Sequence, residues 1–325
     1  MIEKRPLGKS GFQVAPIALG GNVFGWTIDE NASFPILDSF IDHGFNLIDT
    51  ANMYSAWVSG NQGGESEAII GAWLKRSGKR DKVVLATKVG MPMGDGSQGL
   101  KKSYIFAQVE DSLRRLQTDY IDLYQSHQDD ESTPFEETLE AYQQLIQDGK
   151  VRAIGASNYT APRLSAALKA SAVKELPSYV SLQPHYNLLE RELFEKELEG
   201  VCLDEGLGVI PYYSLASGFL TGKYRSKDDL SKSARGGGLA DYLEGRGPAV
   251  LAALDEVAGR HGSPLASVAL AWLIARKSVT APIVSATSVE QLHDILASAT
   301  LNLSGEDIAV LDRASAWNSP AGAAR

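Results

Sequence analysis

Short apolar runs rich in β-branched residues recur along the chain: VAPIALGG (14–21), FNLIDTA (45–51), VVLATKVG (83–90), IDLYQSH (121–127), VRAIGASN (151–158), YVSLQPHYN (179–187), LGVIPYYSL (207–215) and APIVSATS (281–288). Helical periods lie between them. In FEETLEAYQQLIQDG, Phe135, Leu139, Tyr142, Leu145 and Ile146 share one face, and Gly149 stands where a helix stops. Ile105, Val109, Leu113 and Leu116 form a second such face, and Glu65 opens a helix carrying Ile69, Ile70, Trp73 and Leu74. Ser263-Pro264 predicts a helix start with a serine cap and a first-position proline. Strand alternating with helix predicts parallel strands joined by crossover helices, and the near-continuous apolarity of the runs suits strands buried on both faces. Eight such units in about 300 residues make the α/β expectation a (β/α)8 TIM barrel. A doubly wound open sheet would carry a G-x-G-x-x-G fingerprint in its first strand–helix turn, where this chain has GGNVFGWTIDE.

Two segments fall outside the repeat. KRPLGKSGFQV predicts an N-terminal β-hairpin turning at Lys9-Ser10-Gly11, and 216–246 is a long Gly- and charge-rich excursion after the seventh strand. No domain boundary interrupts residues 1–317, and the tail 318–325 is expected to be disordered.

Composition narrows the functional classes. The chain has 325 residues, 44% hydrophobic and 22% charged, as a soluble globular protein does. A net charge of −9 without a basic cluster argues against nucleic acid or an anionic membrane as a partner. Cys202 is the single cysteine, which excludes an intrachain disulfide and fits a reduced compartment. The N-terminus has no apolar leader-like stretch and no run approaches 18 apolar residues, so a cytoplasmic location is expected.

In a barrel of this kind, chemistry gathers at the C-terminal ends of the strands. The second run ends at Asp49, the third near Lys88, the fourth at His127 and the fifth at Ser157-Asn158; the sixth carries Gln183, the seventh Tyr212 and the eighth Ser285. Asp49 and Lys88 are 39 residues apart, as are Lys88 and His127, so each step is one strand–helix unit. Singly, such an aspartate is ordinarily a helix cap, such a lysine a solvated charge, such a histidine a satisfied structural residue, and Tyr54 rim packing. One on each successive rim position is a different matter. Asp49 is expected to pair with Lys88. A nearby ammonium stabilises phenolate and lowers the pKa of a tyrosine that ordinarily titrates near 10, which would make Tyr54 a usable acid–base group. His127 would orient the reacting oxygen. This chemistry fits carbonyl reduction when a hydride donor is present.

The motifs DTANMY, GESEAIIGAWL, TKVG, DLYQSHQDD, GKVRAIGASNY, LQPHYNLL, GFLTGKYR and SATSVEQL, in this order over nearly the whole chain, resemble the aldo-keto reductase superfamily. The resemblance implies a (β/α)8 barrel that binds an extended nicotinamide cofactor without a Rossmann fold. It implies a catalytic tetrad of Asp49, Tyr54, Lys88 and His127, with Tyr54 as general acid–base. It assigns Ser157, Asn158 and Gln183 to the nicotinamide carboxamide, Tyr212 to stacking on the nicotinamide ring, and Leu215, Ser217, Gly218, Leu220 and Lys223 to the pyrophosphate segment. Gly21, Asn22 and Asp49 belong with the cofactor positions as well. GFLTGKY is not a P-loop: the glycine spacing is one residue short and Tyr224 replaces Ser or Thr.

At the adenosine end the chain departs from the family. Ser285, Thr287 and Gln291 stand where many members place a cation for the 2′-phosphate of NADP, and Ile295, beside Asp294, replaces the usual adenine-binding Asn. Ser, Thr and Gln can hydrogen-bond that phosphate without bringing charge, and Arg225 or Arg235, in the long loop, could supply one. NADP(H) is favoured, with NAD(H) left open. Phe24, Trp26 and Trp57, with Tyr186 a further candidate, give an apolar, aromatic substrate pocket for a small-molecule carbonyl or alcohol. Some relatives of this fold act as regulatory subunits of potassium channels, which supplies an alternative role with little turnover. No metal is expected: consecutive acidic residues after His127 are a weak signal, and a metal-dependent hydrolase would need more histidine and carboxylate ligands at the strand ends. These features set no oligomeric state.

Overall fold

The computed structural model describes residues 2–232 and 236–317. The tail expected to be disordered, and Arg235, lie outside these residues. All eight predicted runs contribute strands to one parallel sheet: β3 (Ala18–Gly20), β4 (Leu47–Asp49), β5 (Val84–Val89), β6 (Ile121–Ser126), β7 (Val151–Ser157), β8 (Tyr179–Gln183), β9 (Gly208–Val209) and β10 (Ile283–Val284). β10 pairs with β3, and each of the other strands pairs with the next in sequence up to β9. The remaining seam is closed by Thr280 N–H donating to Val209 O at 2.8 Å and Ile283 N–H to Pro211 O at 2.9 Å, so the sheet is a (β/α)8 barrel.

Several ladders are shorter than the apolar runs that predict them, and prolines account for this. A proline gives no N–H to a ladder. The run 14–21 splits at Pro16: Val14 belongs to the hairpin, and barrel pairing starts at Ala18. Pairing in β8 ends at Gln183, immediately before Pro184. Pro211 and Pro282 flank the two-residue ladders of β9 and β10.

The helices cover the barrel with their predicted faces. α1 (Glu30–Asp42), α2 (Glu65–Ser77), α3 (Lys102–Leu116), α4 (Phe135–Gln147) and α5 (Ala161–Lys174) follow the first five strands. In α4, Leu139, Tyr142 and Leu145 are buried, and Gly149 takes a φ of 73° just beyond the helix. α6 (Glu199–Glu205) carries the buried Cys202, whose thiol is pushed by burial up to about 12. α7 (Ala240–Glu244), α8 (Gly247–His261) and α9 (Leu265–Ile274) lie between β9 and β10, and α10 (Val289–Ala297) and α11 (Gly305–Ala314) complete the chain. α9 begins one residue later than predicted. Pro264 is its cap, in extended conformation, and the Ser263 hydroxyl donates to His261 O instead of capping the helix. The excursion after β9 holds short 3-10 turns and α7, and Phe219, Leu220, Tyr224 and Leu239 anchor it in the core.

Inside the barrel, the lower layer is small and apolar: Ala18, Leu47, Ala86, Leu123, Ala153, Ile210 and Ala281. The hairpin of β1 (Arg5–Pro6) and β2 (Gln13–Val14) closes this end, adding Leu7 and Val14 to the same cluster. Gly8 makes the closure fit. Its φ is +52°, and a Cβ there would lie 2.0 Å from Val180 O at the bottom of β8. Toward the C-terminal ends the interior becomes polar, with Asp49, Lys88, Gln125 and Gln183 all buried. Among the described residues, no helix is long and apolar enough to cross a membrane.

Candidate active site

β4 delivers Asp49, opposite Ala86, and the adjacent β5 delivers Lys88 two residues further along, and the pair forms a buried ion pair at 2.6 Å. Lys88 has three N–H donors, and all three are used: Asp49 Oδ2 at 2.6 Å, Thr50 O at 2.8 Å and the Tyr54 hydroxyl oxygen at 2.9 Å. Asp49 Oδ1 accepts from Gln183 Nε2 at 2.9 Å and from Gln125 Nε2 at 3.0 Å. Burial opposes the charge on Lys88, but Asp49 and Tyr54 outweigh it and hold its pKa above the ordinary value. A buried ion pair is weak evidence for stability on its own account; here its free edge presents a hydrogen bond to Tyr54.

The expectation that the ammonium lowers the Tyr54 pKa needs correction. Burial of the hydroxyl is the largest influence and Asp49 adds to it; Lys88 pulls the other way without overcoming them, so the pKa lies above 10. Tyr54 is therefore a protonated phenol throughout the neutral range. Its oxygen accepts from a lysine that can accept nothing in return, so the phenolic proton is left for another acceptor.

His127, one residue beyond β6, is buried with its ring 5.9 Å from that of Tyr54 at 70°. Burial, then the Lys88 ammonium, pushes its pKa well below 6.5, so it is neutral. Its Nδ1 is buried without a partner. Asn158, held at a φ of 55°, joins two parts of the site: its Nδ2 donates to His127 O and its Oδ1 accepts from the Tyr212 hydroxyl, each at 2.8 Å. The Ser157 hydroxyl donates to Gln183 O at 2.9 Å.

Two cavities meet at Tyr54, Asn22, Gln183 and Tyr212. The larger, about 730 Å³, runs from Tyr54 past Leu215, Ser217, Gly218 and Lys223 to Ser285, Thr287, Gln291, Asp294 and Ile295 at the start of α10. Lys223 is the one cation on its lining among the described residues. Ser217 and Gly218 both have positive φ, at 54° and 94°, in the turn that edges this cavity. The smaller, about 570 Å³, is bordered by Trp26, Met53, Trp57, Met91, His127, Ser157 and Asn158. Trp26 and Trp57 meet edge to face with ring centroids 5.5 Å apart.

Not every residue expected at the site lies on these walls. Phe24 and Leu220 are fully buried and line neither cavity; Gly21 is buried behind the first wall, and Tyr186 lies in the core against Phe194 and Trp272. Arg225, a candidate for the 2′-phosphate charge, is held by both carboxylate oxygens of Asp255 at 2.7 and 2.8 Å and is absent from the lining. Tyr212 stacks on His185, with centroids 5.2 Å apart and planes at 16°, a partner the sequence did not indicate. Gln125, Met53, Met91 and Tyr213 were also missed; Met53, Gln125 and Tyr213 lay within segments already under suspicion, and Met91 directly follows one. Among the described residues, no three His, Cys, Asp or Glu side chains are grouped to hold a metal.

Comparison with known proteins places this geometry in context. Residues 16–316 match the model of the aldo/keto reductase family. The chain is 37% identical over 318 residues to an uncharacterized oxidoreductase, YrpG, of Bacillus subtilis, covering 96% of this chain and 95% of that protein. It is 35% identical to the aldo-keto reductase AMT2 of Alternaria alternata, over 93% of this chain and 89% of that one. It is 31% identical to the L-glyceraldehyde 3-phosphate reductase of Escherichia coli O157:H7, over 96% and 92%.

Proposed function

The chain belongs to the aldo/keto reductase family and is an oxidoreductase, and on that premise we propose that it interconverts aldehydes or ketones and alcohols with a nicotinamide cofactor, using Tyr54 as general acid–base. The observation that carries this reading is the hydrogen-bond arrangement around Tyr54. With Lys88 donating to its oxygen and, among the described residues, no acceptor engaging its proton, the phenol is set to donate to an oxygen entering the smaller cavity.

The larger cavity suits a nicotinamide dinucleotide. Tyr212 offers an aromatic surface at the junction, and Ser157, Asn158 and Gln183 offer amide and hydroxyl groups to a carboxamide. Lys223 and the turn at Ser217-Gly218 offer charge and close backbone approach to phosphates. The far end meets the N-terminus of α10, capped by Ser288. A helix N-terminus favours an anion without a charged side chain, which supports NADP(H) over NAD(H) despite Ser285, Thr287 and Gln291. The bound cofactor supplies hydride.

The chain's own residues do the rest. Lys88 holds the Tyr54 oxygen and offsets negative charge there when the proton leaves. Asp49, fixed by two glutamine amides, keeps Lys88 charged and in place. His127 stays neutral. Orphaned buried donors are rarer than orphaned acceptors, so the tautomer with its proton on Nε2 is favoured, giving the imidazole a donor to orient a carbonyl. Trp26, Trp57, Met53 and Met91 give the smaller cavity an apolar, polarizable wall suited to carbonyl compounds with hydrophobic bulk.

Tyr54→Phe tests this reading. Carbonyl reduction followed at 340 nm should be lost, while NADPH binding, followed by protein fluorescence, stays close to that of the unmodified chain. Full activity in the variant would sink the mechanism; NADPH binding by the unmodified chain without turnover on any carbonyl would sink the reductase reading.

A further inference from the structure

Gln125 is fully buried in the middle of the barrel and lines neither cavity. Its amide nevertheless joins two groups of the site. Its Nε2 donates to Asp49 Oδ1 at 3.0 Å, and its Oε1 accepts from Gln183 Nε2 at 3.2 Å. Gln183 Nε2 also donates to Asp49 Oδ1 at 2.9 Å. With two donors on Oδ1, the carboxylate presents Oδ2 to Lys88. The Gln183 nitrogen is committed inward, and its Oε1 is the atom left for the cavity. Turning the Gln183 amide over would set its oxygen against Asp49 Oδ1 and Gln125 Oε1, three acceptors with no hydrogen between them.

The neighbouring strand makes room for this arrangement. Gly155 lies opposite Gln125 in the β6–β7 register. A Cβ on it would come within 3.1 Å of Gln125 Cγ and 2.5 Å of Ser181 Oγ.

We infer that Gln125 is a positioning residue: it fixes which atom of Gln183 is offered to the cofactor and which oxygen of Asp49 meets Lys88. The inference rests on the reductase reading given above. It predicts that the carboxamide of the cofactor is met by an acceptor, Gln183 Oε1, because Gln125 holds the donor end away.

The test compares Gln125→Leu and Gln125→Glu in the intact chain. The ionisable groups facing position 125 are Lys88 on the neighbouring β5 and Asp49 on β4 beyond it, with Tyr54 beyond Lys88 and His127 just past the end of β6. Leucine has neither a donor for Asp49 nor an acceptor for Gln183. It should lower kcat by about 10- to 100-fold at every pH, the factor a hydrogen bond to a charged group is worth, and raise the NADPH dissociation constant, with the carbonyl KM unchanged. Glutamic acid, when protonated, reproduces both bonds: its O–H donates to Asp49 and its C=O accepts from Gln183. Two carboxyl groups so close share one proton. Turnover of Gln125→Glu, relative to the unmodified chain at the same pH, should therefore approach one at the acid end and fall as pH rises. Should Gln125→Leu fail to fold, the pH profile of Gln125→Glu decides alone. The inference is overturned if either variant keeps the wild-type kcat and pH profile, or if both lose activity equally at all pH. If the unmodified chain reduces no carbonyl, the reductase reading fails, and the NADPH dissociation constants of the two variants still decide the role of Gln125.

Discussion

Replacing Lys88 with Met keeps the side chain to within one heavy atom and removes its charge. Lys88 is 0% exposed and Asp49 1%, so no water compensates for the loss. Asp49 Oδ1 keeps its two amide donors, while Oδ2 loses the ammonium at 2.6 Å. Breaking a buried pair from one side leaves an uncompensated charge, at a cost of about 3–5 kcal/mol. With a urea slope of about 3 kcal/mol/M for a chain of this length, the unfolding midpoint should fall by at least about 1 M. Adding Asp49→Asn removes the stranded charge, so the double variant should be more stable than Lys88→Met alone although it has lost one more native group. The sign with pH follows. The stranded charge exists only while the carboxyl group is ionised, so the deficit shrinks as pH falls into the acid range and grows as pH rises. Urea titrations of the wild type, both single variants and the double variant at two pH values complete the cycle. A double variant no more stable than Lys88→Met would refute the stranded-carboxylate reasoning.

His127 is buried and neutral, with its pKa depressed, so protonation favours the unfolded chain. Wild-type stability should fall as pH drops below about 6.5, by up to about 1.4 kcal/mol per pH unit, and His127→Gln should lack that component; parallel slopes in the two proteins would contradict it. Lys223→Met removes the one cation on the lining of the larger cavity among the described residues. NADPH affinity, read by fluorescence titration, should drop about tenfold or more and lose much of its dependence on salt, and an unchanged dissociation constant would remove Lys223 from the phosphate end.

The residues most legible in the sequence were those that violate their surroundings. A carboxylate closing the apolar strand FNLID, a lysine inside VVLATKVG and a histidine closing IDLYQSH each had to be explained, and their even spacing placed them on neighbouring strands before any coordinates. Gln125 sits inside the same kind of run but carries no charge. An uncharged amide in a strand passes for ordinary alternation, and its partners come from strands 58 and 76 residues away. Phe24 and Leu220 show the reverse difficulty. Sequence places a residue on the right loop, but which way its side chain turns depends on packing against distant elements. The direction of the Tyr54 pKa was illegible for a related reason: proximity to Lys88 followed from strand order, whereas the depth of burial that outweighs it is a property of the closed barrel. Prolines explain the strand lengths in hindsight and were visible throughout.

The hairpin that seats Leu7 beneath the apolar layer turns the barrel into a vessel with a floor, entered from the end where the two cavities meet at Tyr54. Among the described residues, the cluster that closes the barrel below Asp49 and Lys88 is apolar and relays no protons. On the reading proposed here, every proton that leaves Tyr54 for a substrate must be replaced through the same opening by which the substrate came and the product departs. Recharging the acid and emptying the pocket then compete for one passage, and the residues crowding that passage, Trp26, Trp57 and Tyr213, become the regulators of its traffic.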